Sequence, residues 1–151
     1  MSGHGRRVPP QIQHRAQRMF RELVRAAESQ ELSYLEVCRR SGLSLYAVSK
    51  VMRGAASDLQ LDTYLALAGA LGQFRYDNRA SRMSLSELTA VRVQEWCERL
   101  HIARSRSGMS QREVAGKAGV TQAQVSQWER GLTMPRVCSY LMVAEVVGLR
   151  V

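Results

Sequence analysis

The sequence predicts an all-α fold in which one helical unit is used twice. Two observations carry that expectation. Residues 33–54, SYLEVCRRSGLSLYAVSKVMRG, and residues 110–131, SQREVAGKAGVTQAQVSQWERG, align without a gap at an offset of 77 and agree at eight positions. Those pairs are Ser33/Ser110, Glu36/Glu113, Val37/Val114, Gly42/Gly119, Val48/Val125, Ser49/Ser126, Arg53/Arg130 and Gly54/Gly131. Apolar residues in both copies recur at helical spacing, break at Gly42 or Gly119, and stop at Gly54 or Gly131. A repeat of this kind is one supersecondary unit duplicated, here two short helices joined at a glycine.

Each element has its own local reason. Residues 1–10 read as a basic, glycine-containing arm without fixed structure, in which Arg6 and Arg7 precede the first acid at Glu22. A helix is expected from Gln11 to Ser29, with Ile12, Ala16, Met19, Leu23 and Ala27 as its apolar stripe. Ser33 and Glu36 form a capping box that opens the first copy. Val37, Leu43, Val48 and Val51 point inward, Cys38 takes the close crossing, Gly42 the turn and Ser44 the second cap. A helix near Leu59–Leu71 follows, with Leu61, Leu65, Ala68 and Leu71 facing inward. These elements make a first domain over 11–72, and residues 73–83 read as a linker.

Ser84 and Glu87 make another capping box and open a helix running towards Arg106, the start of a second domain over 84–151. In the second copy Ser110 and Glu113 are the box, and Val114, Ala118, Val120, Val125 and Trp128 point inward. Ala115 takes the crossing, Gly119 the turn, and Thr121 the cap with Gln124 three residues on. Gly131 ends the helix, Pro135 prevents its resumption, and a last helix is expected over Arg136–Val147. The leading helices are longer than a minimal unit needs. Their extra turns carry Ile12, Leu85, Leu88 and Val91 and are expected to pack across the two halves, with a dimer contact as the alternative.

The arrangement is the helix-turn-helix of sequence-specific DNA readers. The second copy resembles the phage-repressor, Cro-type (XRE-like) family over residues 95–149, through Arg104, SQREVA, GV, TQAQVSQWERG, Pro135 and YLMVAEVVG. The resemblance implies two lambda-repressor-like domains in tandem, each with an extended first helix. It also implies a structural ion pair between Arg104 and Glu129. The first copy has Ala27 and Met52 at the aligned positions, so both partners are absent together and an apolar pair can substitute. Its recognition segment, SLYAVSKVMRG, is closer to the lactose-repressor type.

In such a motif the second helix enters the major groove, its first residues at the base edges. The expected readers in the second domain are Gln122, Ala123, Gln124 and Gln127. Glutamine donates and accepts at once, as the adenine edge requires, and Ala123 is short enough to meet a thymine methyl. Thr121, Ser126 and Arg130 are the expected phosphate contacts, and by family resemblance Gln111 also touches phosphate and braces Gln122. The corresponding first-domain readers are Leu45, Tyr46, Ala47 and Lys50, with Ser44, Ser49 and Arg53 at phosphate. Leu45 would read by apolar contact. The competing expectation is that this face binds a protein, because exposed Leu and Tyr also favour such interfaces.

Composition is in keeping with a polyanionic partner: 22 basic against 13 acidic residues give a formal net charge of +9. All the basic residues but Lys50 and Lys117 are arginine, which also fits an effect of genome base composition. Three cysteines, Cys38, Cys97 and Cys138, lie within expected helices, and His4, His14 and His101 are scattered. No metal site or cofactor is expected, and the thiols read as reduced and inert. No membrane span or signal-peptide core is apparent. No nucleophile–base set, paired carboxylate site or phosphate-binding glycine loop is apparent either, and an enzyme is not expected. The expectation is a cytoplasmic, nucleoid-associated transcriptional regulator of a bacterium or mobile element, a repressor bound to double-stranded DNA. Two unlike readers on one chain imply a site with two unlike halves, and a homodimer would restore symmetry. The alternatives are an antitoxin or adaptor whose first domain holds a protein partner, and an architectural accessory protein that bends DNA.

Overall fold

The computed structural model describes residues 8–74 and 83–151. They form eight α-helices: α1 (Pro10–Ser29), α2 (Tyr34–Ser41), α3 (Leu45–Met52), α4 (Leu61–Ala70), α5 (Leu85–Ser107), α6 (Gln111–Ala118), α7 (Gln122–Glu129) and α8 (Val137–Val147). No strand occurs among the described residues, and the fold is all-α as expected. Helix lengths run 20, 8, 8 and 10 residues in the first half and 23, 8, 8 and 11 in the second. The expected basic arm lies outside the described residues up to Arg7, and most of the expected linker, 75–82, does as well.

Local sequence accounts for the ends. Pro10 starts α1, where a missing N–H costs nothing. Gly42 and Gly119 end α2 and α6 at φ 75° and 79°, a left-handed backbone that a Cβ would strain. Ser84, Ser110 and Thr121 each complete a reciprocal capping box with Glu87, Glu113 and Gln124. Ser33 makes only half of one. Its hydroxyl accepts from Glu36 N at 3.1 Å, but the Glu36 carboxylate turns to Arg39 at 2.6 Å and Arg40 at 3.2 Å. The hydrogen bonds from Arg39 and then Arg40 hold that carboxyl below its ordinary range.

The buried stripe of α1 is Ile12, Ala16, Phe20, Leu23 and Ala27, with Met19 only half-buried beside it. Ala27 and Met52 are both buried in this core, where the second half carries a charged pair.

The two halves share their cores. Val137, Cys138 and Leu141 of α8 are buried with α1, α2 and α3, whereas Leu61 and Leu65 of α4 are buried with α5, α6 and α7. Each half thus sends its last helix against the first helix of the other, α4 on α5 and α8 on α1. Immediately before α4 and α8, Gln60 and Arg136 form an isolated antiparallel bridge. Val137 N donates to Leu59 O at 2.8 Å and Leu61 N donates to Pro135 O at 3.2 Å. Asp58 strengthens the seam, accepting from Cys138 N at 3.1 Å and pairing with Arg136 Nε at 3.3 Å. A row of tilted rings, Phe20, Tyr64, Trp96 and Tyr140, runs through α1, α4, α5 and α8 at centroid separations of 6.2, 5.9 and 5.1 Å. These spacings lie in the range of favourable aromatic pairs.

The seam is not symmetric in its side chains. A groove of about 1080 Å³ opens between α4, α5 and the end of α7. Thr89, Cys97 and His101 line it, at positions where the aligned residues of α1 are Ile12, Phe20 and Val24, which pack into the first core.

Candidate nucleic-acid interface

The second half holds its outer helix from both ends. At the start of α7, Thr121 Oγ1 accepts from Gln124 N at 3.1 Å and Gln124 Oε1 accepts from Thr121 N at 3.0 Å. Val125 and Trp128 are buried, which leaves Gln122, Ala123 and Gln124 exposed and Gln127 half-buried on the opposite side. At its other end Glu129 receives four donors. Arg104 Nε and Nη2 reach its two oxygens at 2.6 and 2.7 Å, Gln111 Nε2 donates at 3.1 Å, and His101 Nδ1 lies 2.7 Å away. Arg104 also donates to Met109 O at 3.0 Å, so one guanidinium ties α5 to α7 and to the loop before α6.

Burial alone would push the Glu129 carboxyl up. The hydrogen bonds from Arg104, then Gln111 and His101, outweigh it and bring the group down to about 2. A fork of donors around a charged acceptor is the geometry in which a largely buried carboxylate stays ionised.

These contacts sort the four expected base readers. Gln122 makes no side-chain hydrogen bond among the described residues, so both functions of its exposed amide are open. Gln124 already accepts one bond at Oε1 in the cap, which holds its side chain where that of Gln122 is free to turn. Gln127 accepts a long bond from Thr133 Oγ1 at 3.4 Å. Gln111 turns its amide to Glu129 rather than to Gln122. Thr121 and Arg130 are exposed, and Ser126 is half-buried, beside this row.

The equivalent surface of the first half has different chemistry. Ser44 Oγ accepts from Ala47 N at 3.2 Å and caps α3. Leu45 and Tyr46 follow at 51% and 74% exposure, and Tyr34 and Leu35, at the start of α2, are 41% and 69% exposed. The second half has Gln122, Ala123, Gln111 and Arg112 at those four positions. Ala47 and Ser49 are half-buried, while Lys50 and Arg53 are exposed. Arg53 Nε donates back to Ser49 O at 3.3 Å.

Residues 100–149 match the family model described as Helix-turn-helix. They form a helix-turn-helix domain. The match begins within α5 and ends just after α8, so it takes in the Arg104–Glu129 pair and the whole of α6 and α7. The chain is also 36% identical over 62 residues to an uncharacterized HTH-type transcriptional regulator, y4dL, of Sinorhizobium fredii. That alignment covers 41% of this chain and 32% of the relative, so the chain spans about a third of the relative's length. No solved structure matches the chain significantly.

Two features of the helix-turn-helix domain and its neighbour escape a reading of the motif alone. His101 joins the Glu129 cluster one turn before Arg104, a spacing visible in the sequence but with no partner to suggest it. Tyr34 and Leu35 are exposed apolar residues on α2, outside the recognition segment. Cys97 and Cys138 are buried, and burial raises their thiols to about 11 and about 12. Among the described residues no cluster of His, Cys, Asp and Glu could hold a metal ion, and no helix is long and apolar enough to cross a membrane.

Proposed function

We propose that the chain is a sequence-specific, double-stranded DNA-binding transcriptional regulator, a repressor, that reads the major groove with α7 and α3 as two unlike recognition helices. One observation carries the reading. Within the segment matching the helix-turn-helix family, α7 presents Gln122 with both amide functions open, on a helix fixed by a reciprocal cap at one end and the Arg104–Glu129 pair at the other. Preorganised donors and acceptors on a rigid helix are what direct readout requires, and each bidentate pair discriminates by about 1–3 kcal/mol. Thr121, Ser126 and Arg130 then serve as phosphate contacts that set register. The net charge of +9 supports the same partner. In the first half, Leu45, Tyr46, Ala47 and Lys50 read the second half-site, with Ser44, Ser49 and Arg53 at phosphate.

The test is selection of bound sequences from a random duplex pool at physiological salt, with wild type, Gln122→Ala/Gln127→Ala and Leu45→Ala/Lys50→Ala. The reading expects a two-part motif, each double variant relaxing a different part. An unenriched pool would overturn it.

A second reading has its own observation. Tyr34, Leu35, Leu45 and Tyr46 make an exposed apolar surface where the second half carries mostly polar side chains, the composition of a protein-docking face rather than a phosphate-facing one. In that case the chain is an adaptor or antitoxin, anchored to its operator by α7 and holding a protein through α2 and α3. A selected motif left intact by Leu45→Ala/Lys50→Ala would favour it.

A further inference from the structure

We infer that one copy of the chain binds DNA as a rigid pseudo-dimer, reading two unlike half-sites at one fixed spacing, because the two halves share their cores instead of hanging on a linker. The inference rests on the proposed reading of DNA by both α3 and α7.

The two halves meet at the residues that open α4 and α8. The reciprocal bonds Val137 N to Leu59 O and Leu61 N to Pro135 O place a local two-fold axis between Gln60 and Arg136. The packing obeys that axis: α4 lies on α5 as α8 lies on α1. The exchange is deep, since Leu61, Leu65, Val137 and Leu141 are each at most 1% exposed within the other half's core. Removing four such side chains from their partners would open both cores at once, so the halves cannot drift as separate beads.

Two consequences follow for recognition. First, α3 packs on α1 and α2 as α7 packs on α5 and α6, so the axis relates the two readers as in a two-fold dimer facing two half-sites. A second copy of the chain is not needed to supply the partner reader. Second, the spacing between readers is set by the shared core and not by residues 75–82. Tethered readers on a flexible linker tolerate changes in half-site separation, because effective concentration varies slowly with distance. A rigid pair does not. One added base pair moves a half-site by about 3.4 Å and turns it by about 34°.

The experiment takes the selected two-part site and changes its centre by one and two base pairs in either direction, with affinity measured at fixed salt and stoichiometry by native mass spectrometry. The expected result is one chain per duplex and a loss of at least about tenfold for a single inserted or deleted base pair, comparable to a mismatch. Inserting a short Gly/Ser segment between Asn78 and Arg79 should leave both affinity and preferred spacing unchanged. Tolerance of all four spacings within about threefold, a preferred spacing that follows linker length, or a requirement for two chains per duplex would each overturn the inference while leaving DNA reading intact. A one-part motif insensitive to Leu45→Ala/Lys50→Ala would remove its foundation instead, and that outcome is told apart by the selection data alone.

Discussion

Gln60 and Arg136, the residues immediately before α4 and α8, pair with each other as a two-residue antiparallel bridge although 76 positions separate them. Neither Gln60 nor Arg136 caps its own helix with its side chain. The first N–H of each is satisfied by a carbonyl from the other half, Leu59 for Val137 and Pro135 for Leu61. Helix initiation in one half is thereby coupled to helix initiation in the other.

The coupling predicts one cooperative unfolding transition rather than two. Leu141→Ala, in α8, should cost about 2–5 kcal/mol as a buried truncation. Its effect should reach the other half: amide exchange in α1–α3 rises together with exchange in α5–α8. Exchange that rises only in α5–α8 would show that the cores open separately.

The Arg104–Glu129 pair invites a double-mutant cycle. Arg104→Ala leaves a largely buried carboxylate without its main partner and should destabilise by about 3 kcal/mol. Adding Glu129→Met recreates the Ala27/Met52 combination that the first half already buries. The double variant should then be more stable than the sum of the single effects by at least about 1 kcal/mol, measured by urea denaturation. Additive effects would mean that the pair contributes through each residue independently.

Acid stability follows from the same carboxyl. Its folded value, about 2, lies below the ordinary 4.5, so it stabilises the folded state fully above that ordinary value. The contribution declines as pH falls from about 4.5 towards 2, because the unfolded chain takes up the proton first. Wild type should therefore lose stability over that interval, whereas Glu129→Gln should show a flatter profile. Equal slopes in the two proteins would place the acid sensitivity elsewhere.

Thiol reactivity supplies a check on packing. Cys97 and Cys138 are buried with strongly raised thiols, so iodoacetamide at pH 8 should leave both unlabelled in the native protein and label both in denaturant. Labelling of Cys138 in the native state would mean that α8 leaves the first core readily.

Much of this was legible from residue pattern because the determinants are local. Capping boxes at Ser84, Ser110 and Thr121, turn glycines at 42 and 119, and the 3.6-residue apolar stripes each act within a few residues. Three features were not legible, two because they depend on contacts distant in sequence and one because neighbouring side chains compete. The stripe of α1 includes Phe20 beside the expected Met19, since adjacent residues on one helix face differ only in how far each turns towards its neighbour. The exchange of α4 and α8 is invisible to periodicity, which marks an apolar face without naming what covers it. Glu36 has the spacing of a capping-box partner, but two arginines within one turn compete for its carboxylate.

At the candidate interface, hydrogen-bond occupancy separates neighbours that look alike in sequence. Gln122 and Gln124 are both exposed glutamines in the first turn of α7, but only Gln124 closes the cap on Thr121. Gln122→Ala should therefore leave thermal stability nearly unchanged and cost about 1–3 kcal/mol of discrimination at one base pair. Gln124→Ala should lower stability, by about 0.5–1 kcal/mol on the scale of a lost cap, with a smaller change in sequence preference. Arg130→Ala, at an expected phosphate contact, should weaken binding evenly across sequences and reduce the salt slope by about 1. Melting curves, selection profiles and a salt titration on the three variants resolve the assignment. Loss of preference in Gln124→Ala with none in Gln122→Ala would reverse it, because the capped glutamine would then be the reader.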